Sequence, residues 1–339
     1  MLLQKIILNL KTMGMKSLFF NGIDYLLNIR LPEKVISKPR NIQIEVTNRC
    51  NLRCYMCYIN NLKRDQKGEL SFDNFKKIIR NFNYYHTVKL SGIGEPFLNK
   101  SLLKMVDYEK RRGNQVMIYS NALLINETMA NKLIGVKLDT LFVSFDASTK
   151  KTYDVVRRGG NFELLMKNLR YIQTLKKKLN VSKPEIMFNT TLMQTNKGEM
   201  FGILDIMEEL GIKKINIQEV QVGKEGQTVP ESESLSLEYN SFLNKMREVG
   251  FKKGIEVIIP VVKKRAAREN CVSPWLQTYI TYEGYVTPCC RNISSKHYVC
   301  GNILKAPFGK IWNNGKYSSF RMNLRNNKLH HVCRDCTAL

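Results

Sequence analysis

Residues 41–57 read N-I-Q-I-E-V-T-N-R-C-N-L-R-C-Y-M-C. The first seven, Asn41–Thr47, have the alternating apolar pattern of a strand, and Cys50, Cys54 and Cys57 follow directly. Three thiolates at the spacing C-x-x-x-C-x-x-C can hold three irons of a [4Fe–4S] cube and leave the fourth iron open to a reactant, whereas ferredoxins supply four cysteines. A structural zinc site wants four ligands, and no fourth cysteine or histidine lies nearby in the sequence.

Composition allows one large domain and a smaller one, because the chain has 339 residues and is 43% hydrophobic. The formal net charge is +25, spread over short clusters at 110–112, 157–158, 176–178 and 263–265. Such a dispersed excess is typical of a solvated, lysine-rich surface, and it also suits an anionic partner such as RNA, an acidic peptide or a lipid headgroup.

The sequence favours a cytoplasmic location. No apolar run reaches membrane-spanning length, so no transmembrane segment is expected, and the N-terminus lacks the apolar region and cleavage site of a secretory signal. Nine cysteines in such a chain point to metal ligation in a reducing compartment rather than to disulfides.

Three segments are expected. Residues 1–39 form a basic leader with the apolar spacing of an amphipathic helix, which would either pack on the core or contact a membrane surface or partner. Residues 40–260 form the large domain, and residues 261–339 form a small α+β domain that holds most of the remaining cysteines.

Strands and helices alternate regularly from residue 40 onward. The strand-like runs are 42–47, 87–92, 116–121, 141–146, 185–192 and 215–220. The helical patterns are 72–82, 101–112, 127–135, 162–179 and 199–210, with a further helix at 237–252. Asn161 stands where the N-cap of the fourth helix is expected. Six successive βα units predict an α/β fold with a parallel sheet, a partial TIM barrel.

Polar and glycine-rich segments fall at the carboxyl ends of four of these strands. They are the cysteine triplet and residues 91–95, 120–121 and 144–146. Because ligands bind at the carboxyl ends of parallel strands, we expect one site to be assembled there.

The triplet in its context, C-N-L-R-C-Y-M-C, resembles the radical S-adenosylmethionine (radical SAM) superfamily over roughly residues 40–220. The resemblance implies that Cys50, Cys54 and Cys57 are catalytic and hold a [4Fe–4S] cluster, whose open iron binds the methionine end of S-adenosylmethionine (SAM). It also implies reductive cleavage of SAM to a 5′-deoxyadenosyl radical that abstracts a substrate hydrogen. Met56 takes a place that is often aromatic in the superfamily, and its thioether can pack against adenine.

The loop Ser91-Gly92-Ile93-Gly94-Glu95-Pro96 follows the second strand and looks like the glycine-rich loop of that superfamily. By this resemblance, the backbone at Gly92 and Gly94 and the acid of Glu95 meet the methionine amino group. Glycine at these positions permits a close approach of the backbone.

The resemblance also implies cofactor contacts at the next two strand ends. Small polar residues there meet the ribose and the methionine carboxylate, and in this sequence they are Ser120, Asn121, Ser144 and Asp146. Arg157 resembles a frequent arginine of the superfamily that can pair with a carboxylate.

Three further polar residues are expected to face the barrel interior. Asn189 and Gln218 do so by strand alternation, and Glu45 lies on the same face as Thr47. They would contact cofactor or substrate, with Asn189 as a cofactor contact, or else fill the barrel as hydrogen-bonded groups.

The C-terminal cysteines resemble the SPASM/Twitch extension of radical enzymes, over nearly all of residues 271–339. The shared features are Gly284–Cys289, Gly301–Ile303 and the C-x-x-C of Cys333 and Cys336. The resemblance implies one auxiliary [4Fe–4S] cluster, with the ligands Cys271, Cys289, Cys333 and Cys336. A four-cysteine zinc ribbon is the alternative.

Two cysteines remain outside this quartet, Cys290 and Cys300. Cys290 could replace its neighbour Cys289 as a ligand, and otherwise both are expected to be free buried thiols.

The expected function is therefore a radical SAM oxidoreductase or maturase. It would oxidise or cross-link a small molecule, such as a sugar, an aminocyclitol or another anionic metabolite, or else a peptide or protein. A flavodoxin or ferredoxin would supply electrons, and the oxidation needs a base, for which the candidates are Glu219, Glu225, Asp146 and Glu269. The alternative is a non-catalytic iron–sulfur or zinc module that carries electrons.

Overall fold

The computed structural model describes residues 32–61, 67–82, 87–220, 239–259, 271–290, 298–330 and 333. Several expectations from the sequence lie outside these residues: positions 1–31 of the leader, the basic cluster at 263–265, Cys336, Glu225 and Glu269. Within the described ranges, no helix combines the length and the apolar content needed to cross a bilayer.

One ten-stranded sheet forms the framework of the molecule. Its strands are β1 (Asn41–Ile44), β2 (Thr87–Leu90), β3 (Gln115–Ser120), β4 (Thr140–Ser144), β5 (Glu185–Leu192), β6 (Lys214–Glu219), β7 (Glu256–Ile258), β8 (Gln277–Ile280), β9 (Tyr285–Thr287) and β10 (Gly301–Asn302). Strands β1 to β7 follow one another in parallel, while β8 lies parallel to β1 on its other side and leads to the antiparallel β9 and β10. The sheet is open between β7 and β10, which confirms the predicted partial barrel.

Helices connect the parallel strands. They are α1 (Phe72–Ile79), α2 (Leu102–Arg111), α3 (Glu127–Gly135), α4 (Lys150–Val156), α5 (Phe162–Lys178), α6 (Gln194–Lys197), α7 (Met200–Leu210), α8 (Tyr239–Lys252), α9 (Ser273–Leu276), α10 (Phe308–Trp312) and α11 (Gly315–Arg325), with 3₁₀ turns at Tyr58–Asn61 and Pro96–Leu98. Every predicted strand and helix matches an observed element to within three residues at each end. The sequence patterns missed α4 and β7, because both are too short to show a clear periodicity.

Polar side chains define where several helices begin. Asn161, the predicted N-cap of α5, accepts a hydrogen bond from the Leu164 N–H at 2.9 Å. Ser71, Asn126 and Asn314 cap α1, α3 and α11 in the same way. Each of these side chains satisfies one of the N–H groups that a helix leaves without an internal partner at its start.

The two faces of the parallel sheet differ in accessibility. Ile42, Ile44, Val88 and Leu90 face the helices and have no exposed surface. Residues of the opposite face, the lumen of the partial barrel, keep partial exposure; they include Gln43, Lys89, Met117, Tyr119, Ser144, Asn189 and Asn216. A closed TIM barrel fills its interior with side chains. Here the lumen face keeps some accessible surface.

A buried arginine joins the C-terminal segment to the rest of the molecule. Arg321 donates to the carbonyl oxygens of Pro274 and Trp312 at 3.0 and 2.8 Å, and to that of Glu33 at 3.3 Å. Its guanidinium also lies over the rings of Trp312 and Tyr317, 4.2 and 4.4 Å from their centroids. Because β8 pairs with β1 as well, the segment that carries the later cysteines is held at a set position against the barrel. The segment boundaries at residues 39 and 260 stay predictions.

We expect Leu165→Ala to lower the free energy of unfolding by about 2–5 kcal/mol, because it opens a cavity under α5. Leu165 is fully buried, whereas its neighbour Leu164 is 40% exposed. The matched change Leu164→Ala should alter the free energy by no more than about 0.5 kcal/mol. Urea denaturation measures both, and equal losses for the two variants would contradict the described orientation of α5.

Candidate active site

The cysteine triplet lies in a loop that rests on the segment after α4. Within the loop, the Cys57 N–H donates to the Cys54 carbonyl at 3.0 Å. Across the contact, Tyr55 N–H donates to the Val156 carbonyl at 2.9 Å. Cys54 is buried, while Cys50 and Cys57 are half-buried, so the loop presents three thiols at the carboxyl end of β1.

Each of the three sulfur atoms has an N–H donor. The Leu52 and Ile59 backbone N–H groups donate to the Sγ atoms of Cys50 and Cys57, at 3.4 and 3.5 Å. The Cys54 Sγ accepts from the Arg157 guanidinium at 3.5 Å. Such donors stabilise the negatively charged thiolate. In iron–sulfur sites, hydrogen bonds to sulfur also tune the reduction potential of the cluster.

Burial disfavours the ionised form of two of these thiols. Burial raises the pKa of Cys50 to about 12, and it raises the pKa of Cys57 as well, with the neighbouring thiols adding repulsion. Across the described part of the chain, no three Cys, His, Asp or Glu side chains are grouped closely enough for a single metal ion. A cube binds each thiolate at a different iron, so its ligands stand further apart. The donor set therefore fits a cluster better than a mononuclear zinc site.

The glycine-rich loop packs against the start of the triplet loop. A Cβ on Gly94 would meet the carbonyl oxygens of Arg49 and Thr47, the latter at 2.5 Å. A Cβ on Gly92 would meet the Glu45 side chain, with Oε1 at 2.6 Å. Both positions therefore require glycine so that the loop can pack this closely on its protein neighbours, and its approach to the methionine end of SAM stays a prediction.

Glu45 supports this loop from β1. Its Oε1 accepts a hydrogen bond from the Ile93 N–H at 3.1 Å, and its Oε2 accepts from the Tyr282 N–H at 3.5 Å. Burial raises the Glu45 pKa to about 7, although these N–H groups oppose the shift. Glu45 thus connects the glycine-rich loop with the turn after β8 as a buried, hydrogen-bonded acid, and a contact with cofactor or substrate stays a prediction.

Glu95 turns into the protein rather than outward. Its Oε1 accepts from the Ser120 hydroxyl at 2.8 Å and from the Phe97 N–H at 3.2 Å, and its Oε2 accepts from the Asn121 N–H at 2.8 Å. Burial raises its pKa to about 7, against the pull of these donors. In this conformation Glu95 connects the glycine-rich loop to the end of β3, and its contact with a methionine amino group stays a prediction.

Asn121 extends the connection to the cysteines. Its Nδ2 donates to Asn51 Oδ1 at 2.9 Å, and Asn51 lies next to Cys50 in the triplet loop. Ser120 and Asn121 are both buried, so the loops after β1, β2 and β3 form one hydrogen-bonded unit.

Polar residues line up across the next three strands. Ser144 on β4 pairs in register with Asn189 on β5, which pairs with Asn216 on β6. Asn216 Nδ2 donates to Asn189 Oδ1 at 2.7 Å. The predicted contacts Ser144 and Asn189 therefore share one row of the lumen face with Asn216, which sequence reasoning missed. Gln218, two residues further along β6, is exposed.

Asp146 and Arg157 form a buried ion pair below Cys54. The guanidinium contacts Asp146 Oδ2, and Asp146 Oδ1 accepts from the Thr191 N–H at 2.6 Å. Asp146 raises the already high pKa of Arg157 further, so the guanidinium stays charged. Asp146 is thus paired to a cation, which makes it a poor candidate for the base. The predicted contact of Arg157 with a cofactor carboxylate stays a prediction.

An apolar cluster beside the triplet escaped the sequence patterns. Val156, Met193 and Val220 are buried together, and Tyr55 and Met56 pack against them. Val156 ends α4, Met193 follows β5 and Val220 follows β6, so the cluster joins three separate segments of the chain. This surface around Met56 is suited to a flat apolar group such as adenine.

The structure describes every cysteine of the C-terminal segment except Cys336. Val286 and Thr287 of β9 pair with Ile280 and Tyr279 of β8, which carries Cys289 and Cys290 on towards the amino end of β1. Cys289 and Cys300 both interact electrostatically with Tyr317, whereas Cys290 interacts with Tyr119 of the lumen. The adjacent thiols thus have different aromatic neighbours, and the choice of Cys289 as the auxiliary ligand stays a prediction.

Cys333 lies close to this C-terminal group. With Tyr298, Phe320, Leu324, Leu329 and His330, it lines a cavity of about 160 Å³. Cys300 is buried, and it interacts electrostatically with Tyr298. The structure thus brings Cys289, Cys300 and Cys333 into one region, and the ligand set Cys271, Cys289, Cys333 and Cys336 stays a prediction.

The two cysteine regions lie at opposite ends of the lumen. The triplet follows the carboxyl end of β1, whereas Cys289 lies near Gln277, the register partner of Asn41. At about 3.3 Å per residue, the extended chain from Asn41 to Thr47 spans about 20 Å. The open lumen therefore lies between the regions.

One of the predicted bases remains available among the described residues. Glu219, at the end of β6, is half-buried, and burial raises its pKa. Glu225 and Glu269 lie outside the described residues.

Comparisons with known proteins agree with this arrangement. Residues 44–193 match the profile of the Radical SAM superfamily, and residues 271–337 match SPASM, an iron–sulfur cluster-binding domain. These two domains imply a [4Fe–4S] cluster, SAM and an auxiliary iron–sulfur cluster.

Curated relatives have 23–24% identity to this chain. A tungsten-containing aldehyde ferredoxin oxidoreductase cofactor-modifying protein from Pyrococcus furiosus is 23% identical over 315 residues, 87% of this chain and 86% of the relative. The antilisterial bacteriocin subtilosin biosynthesis protein AlbA from Bacillus subtilis is 24% identical over 280 residues, 81% of this chain and 60% of the relative.

Among solved structures, SuiB of Streptococcus suis bound to S-adenosylmethionine aligns with a TM-score of 0.71 at 13% identity, covering 95% of this chain and 77% of that chain. At this identity the likeness concerns the fold alone, and it supports the partial barrel.

Gly94→Ala should weaken SAM binding to the reconstituted protein about tenfold or more, because its Cβ meets two carbonyl oxygens and displaces the loop. Gly135→Ala is the matched control, since a Cβ there meets nothing within 4 Å. Equilibrium dialysis with labelled SAM measures both. Unchanged affinity in Gly94→Ala would show that the loop does not shape the site.

Arg157→Met should lower the reduction potential of the triplet cluster, because it removes both an N–H donor to Cys54 Sγ and a positive charge. If the reduced cluster loses about 1.4 kcal/mol of stabilisation, its reduction potential falls by about 60 mV. Redox titration followed by electron paramagnetic resonance (EPR) measures the shift.

Arg158→Met is the control for this measurement, since Arg158 is exposed and lies over the Tyr55 ring. Arg157→Lys retains the charge and should give a smaller shift. A potential that is unchanged or higher in Arg157→Met contradicts the assigned contact.

Proposed function

This chain combines a radical SAM domain with a C-terminal SPASM domain, and we propose that it oxidises or cross-links its substrate at an unactivated C–H bond. Bound cofactors supply hydrogen-atom abstraction at the triplet end and an electron acceptor at the SPASM end. The observation that carries the proposal is the open lumen between the two cysteine regions.

The chain's own residues would bind and orient SAM at the carboxyl ends of the strands. Cys50, Cys54 and Cys57 would hold the catalytic cluster, and the backbone around Gly92 and Gly94 would border the methionine end of SAM. The remaining cofactor contacts that we propose are Met56, Glu95, Ser120, Asn121, Ser144, Asp146, Arg157 and Asn189.

Two of these assignments gain specific support. Met56 packs on the apolar cluster of Val156, Met193 and Val220, which suits the adenine of SAM. Ser144 and Asn189 share a row of partly accessible residues on the lumen face, so their polar groups could reach a bound ribose or carboxylate.

Completion of the oxidation requires a proton acceptor and an electron acceptor. Hydrogen-atom removal leaves one unpaired electron on the substrate carbon; loss of a proton and of that electron then makes a two-electron oxidation. Glu219, the last residue of β6, is our candidate for the proton acceptor, because burial raises its pKa. Cys271, Cys289, Cys333 and Cys336 would hold the auxiliary cluster that takes the electron.

The substrate is a small molecule or a peptide. The named relatives include a cofactor-modifying protein and a bacteriocin biosynthesis protein, so both classes are represented among proteins similar to this chain. We place the reaction in the cytoplasm, with a flavodoxin or ferredoxin as the reductant.

Anaerobically reconstituted protein should contain about eight irons per chain and should release 5′-deoxyadenosine from SAM when reduced with dithionite. Cys54→Ala should abolish the release, because it removes a ligand of the catalytic cluster. Iron analysis and chromatography of the products measure both quantities.

A content of about four irons and one zinc per chain would show that a zinc ribbon stands in place of the auxiliary cluster. Full iron loading without any 5′-deoxyadenosine would overturn the proposed enzyme and leave an electron-carrying module. Cys333→Ala serves as the companion variant, and it should reduce the iron content to about four per chain.

A further inference from the structure

Lys89 is a lysine on the lumen wall. It lies on β2 between Val88 and Leu90, which are fully buried against the helices. Strand alternation therefore points Lys89 to the opposite face, where its register partners are Gln43 on β1 and Met117 on β3. Its side chain is half-buried, so the ammonium group lies inside the barrel and stays reachable from the lumen.

The Lys89 ammonium has no acidic partner among the described residues. Other lysines beside the sheet do have one: Lys110 and Lys183 both contact Asp139, and Lys214 contacts Glu185 at 2.8 Å. Lys89 makes neither a salt bridge nor a hydrogen bond within the described ranges, and its one electrostatic neighbour there is the Cys290 thiol. A cation that is partly removed from water without a counter-charge is unfavourable, so the position favours an anion brought by a ligand.

Two tyrosines add further hydroxyl groups around the same point. Tyr119 and Tyr279 both interact electrostatically with Cys290, as Lys89 does. The Tyr279 hydroxyl is fully buried and makes no hydrogen bond of good geometry in the described structure, although the Glu45 carboxylate is near it. Lys89 and Tyr279 are the two register partners of Gln43, and Tyr119 lies on the same face of β3, two residues beyond Met117. An ammonium and two phenol groups therefore share one part of the lumen wall.

The Tyr119 side chain also shapes the wall. Its ring stacks on that of Phe142, with centroids 4.3 Å apart and an interplanar angle of 6°. This flat apolar surface lies beside the group of donors. It suits the carbon skeleton of a small molecule whose charged end contacts Lys89.

We propose that the lumen binds the substrate through an oxyanion, a carboxylate or a phosphate, held by Lys89 with Tyr119 as a further donor. The inference rests on the proposed function, because it treats the lumen as the substrate chamber. Glu45, the acid near Tyr279, is held by the Ile93 and Tyr282 N–H groups rather than by Lys89. An apolar substrate would leave Lys89 without a counter-charge.

The placement also orients the substrate. Lys89 lies two residues after Thr87, the first residue of β2. It is therefore about 7 Å along the strand from the amino end of β2. This level is closer to Cys289 and Cys290 than to the triplet. The anionic end would therefore face the SPASM side, and the carbon to be oxidised would face the triplet.

The test uses the reconstituted holoenzyme and a neutral amine reagent, formaldehyde with a borane reductant. Peptide mass spectrometry follows dimethylation of Lys89 with time, and Lys132, an exposed lysine of α3, is the control in the same sample. Inorganic phosphate and succinate are the probes. An anion that binds Lys89 with a Kd of about 2 mM should slow its labelling about sixfold at about 10 mM, while Lys132 labelling stays unchanged.

The two probes distinguish the source of the oxyanion. Stronger protection by phosphate indicates a phosphate ester, and stronger protection by succinate indicates a carboxylate. Equal labelling of Lys89 with and without either anion overturns the proposal, and so does a Lys89 that the reagent never reaches. Release of 5′-deoxyadenosine by the same preparation is measured in parallel, so failure of the anion site and failure of the proposed enzyme give different results.

Discussion

The carboxylate of Glu95 is the interaction on which the cofactor end of this protein depends. It accepts hydrogen bonds from Ser120 and Asn121 at the end of β3, and Asn121 in turn contacts Asn51 beside Cys50. The backbone N–H of Glu95 donates to the Arg49 carbonyl at 2.8 Å. Glu95 therefore holds three separate loops in a common position. A site that presents three thiols beside the backbone of the glycine-rich loop needs such fixed loops.

The opposite end of the barrel is held by different means. Pairing of β8 with β1 extends the sheet into the C-terminal segment, and Arg321 fastens the helices of that segment through carbonyl oxygens and aromatic faces. Burial lowers the Arg321 pKa to about 10, so the guanidinium remains charged near neutral pH. The two cysteine regions are thus positioned independently, and the strand length between them sets their separation.

Local patterns predicted much of this framework. The apolar spacing of α5 and its cap Asn161 identify the helix, and the alternation of β5 identifies a strand whose observed ends, Glu185 and Leu192, are those predicted. The cysteine spacing alone predicted an iron–sulfur site with an open iron. These features are encoded within a few neighbouring residues, and for that reason sequence reasoning reached them.

Features that depend on contacts between distant segments could not be predicted. The sequence G-x-G-E-P does not say that Glu95 turns towards β3, because its partners are 25 and 26 residues away. The different neighbours of Cys289 and Cys290, Tyr317 of α11 and Tyr119 of β3, also come from distant parts of the chain. Lys89 gave no signal either, since one lysine in a strand is ordinary until its neighbours are known.

The central claim is that the chain holds two different clusters, of which only the triplet cluster has an open iron for SAM. Mössbauer spectroscopy of protein reconstituted with ⁵⁷Fe, recorded with and without SAM, tests it most directly. The account predicts that about one iron in eight changes its isomer shift when SAM binds, because three cysteines leave one iron of one cube without a protein ligand. A spectrum that is unchanged by saturating SAM, or one in which irons of both clusters shift, would contradict it.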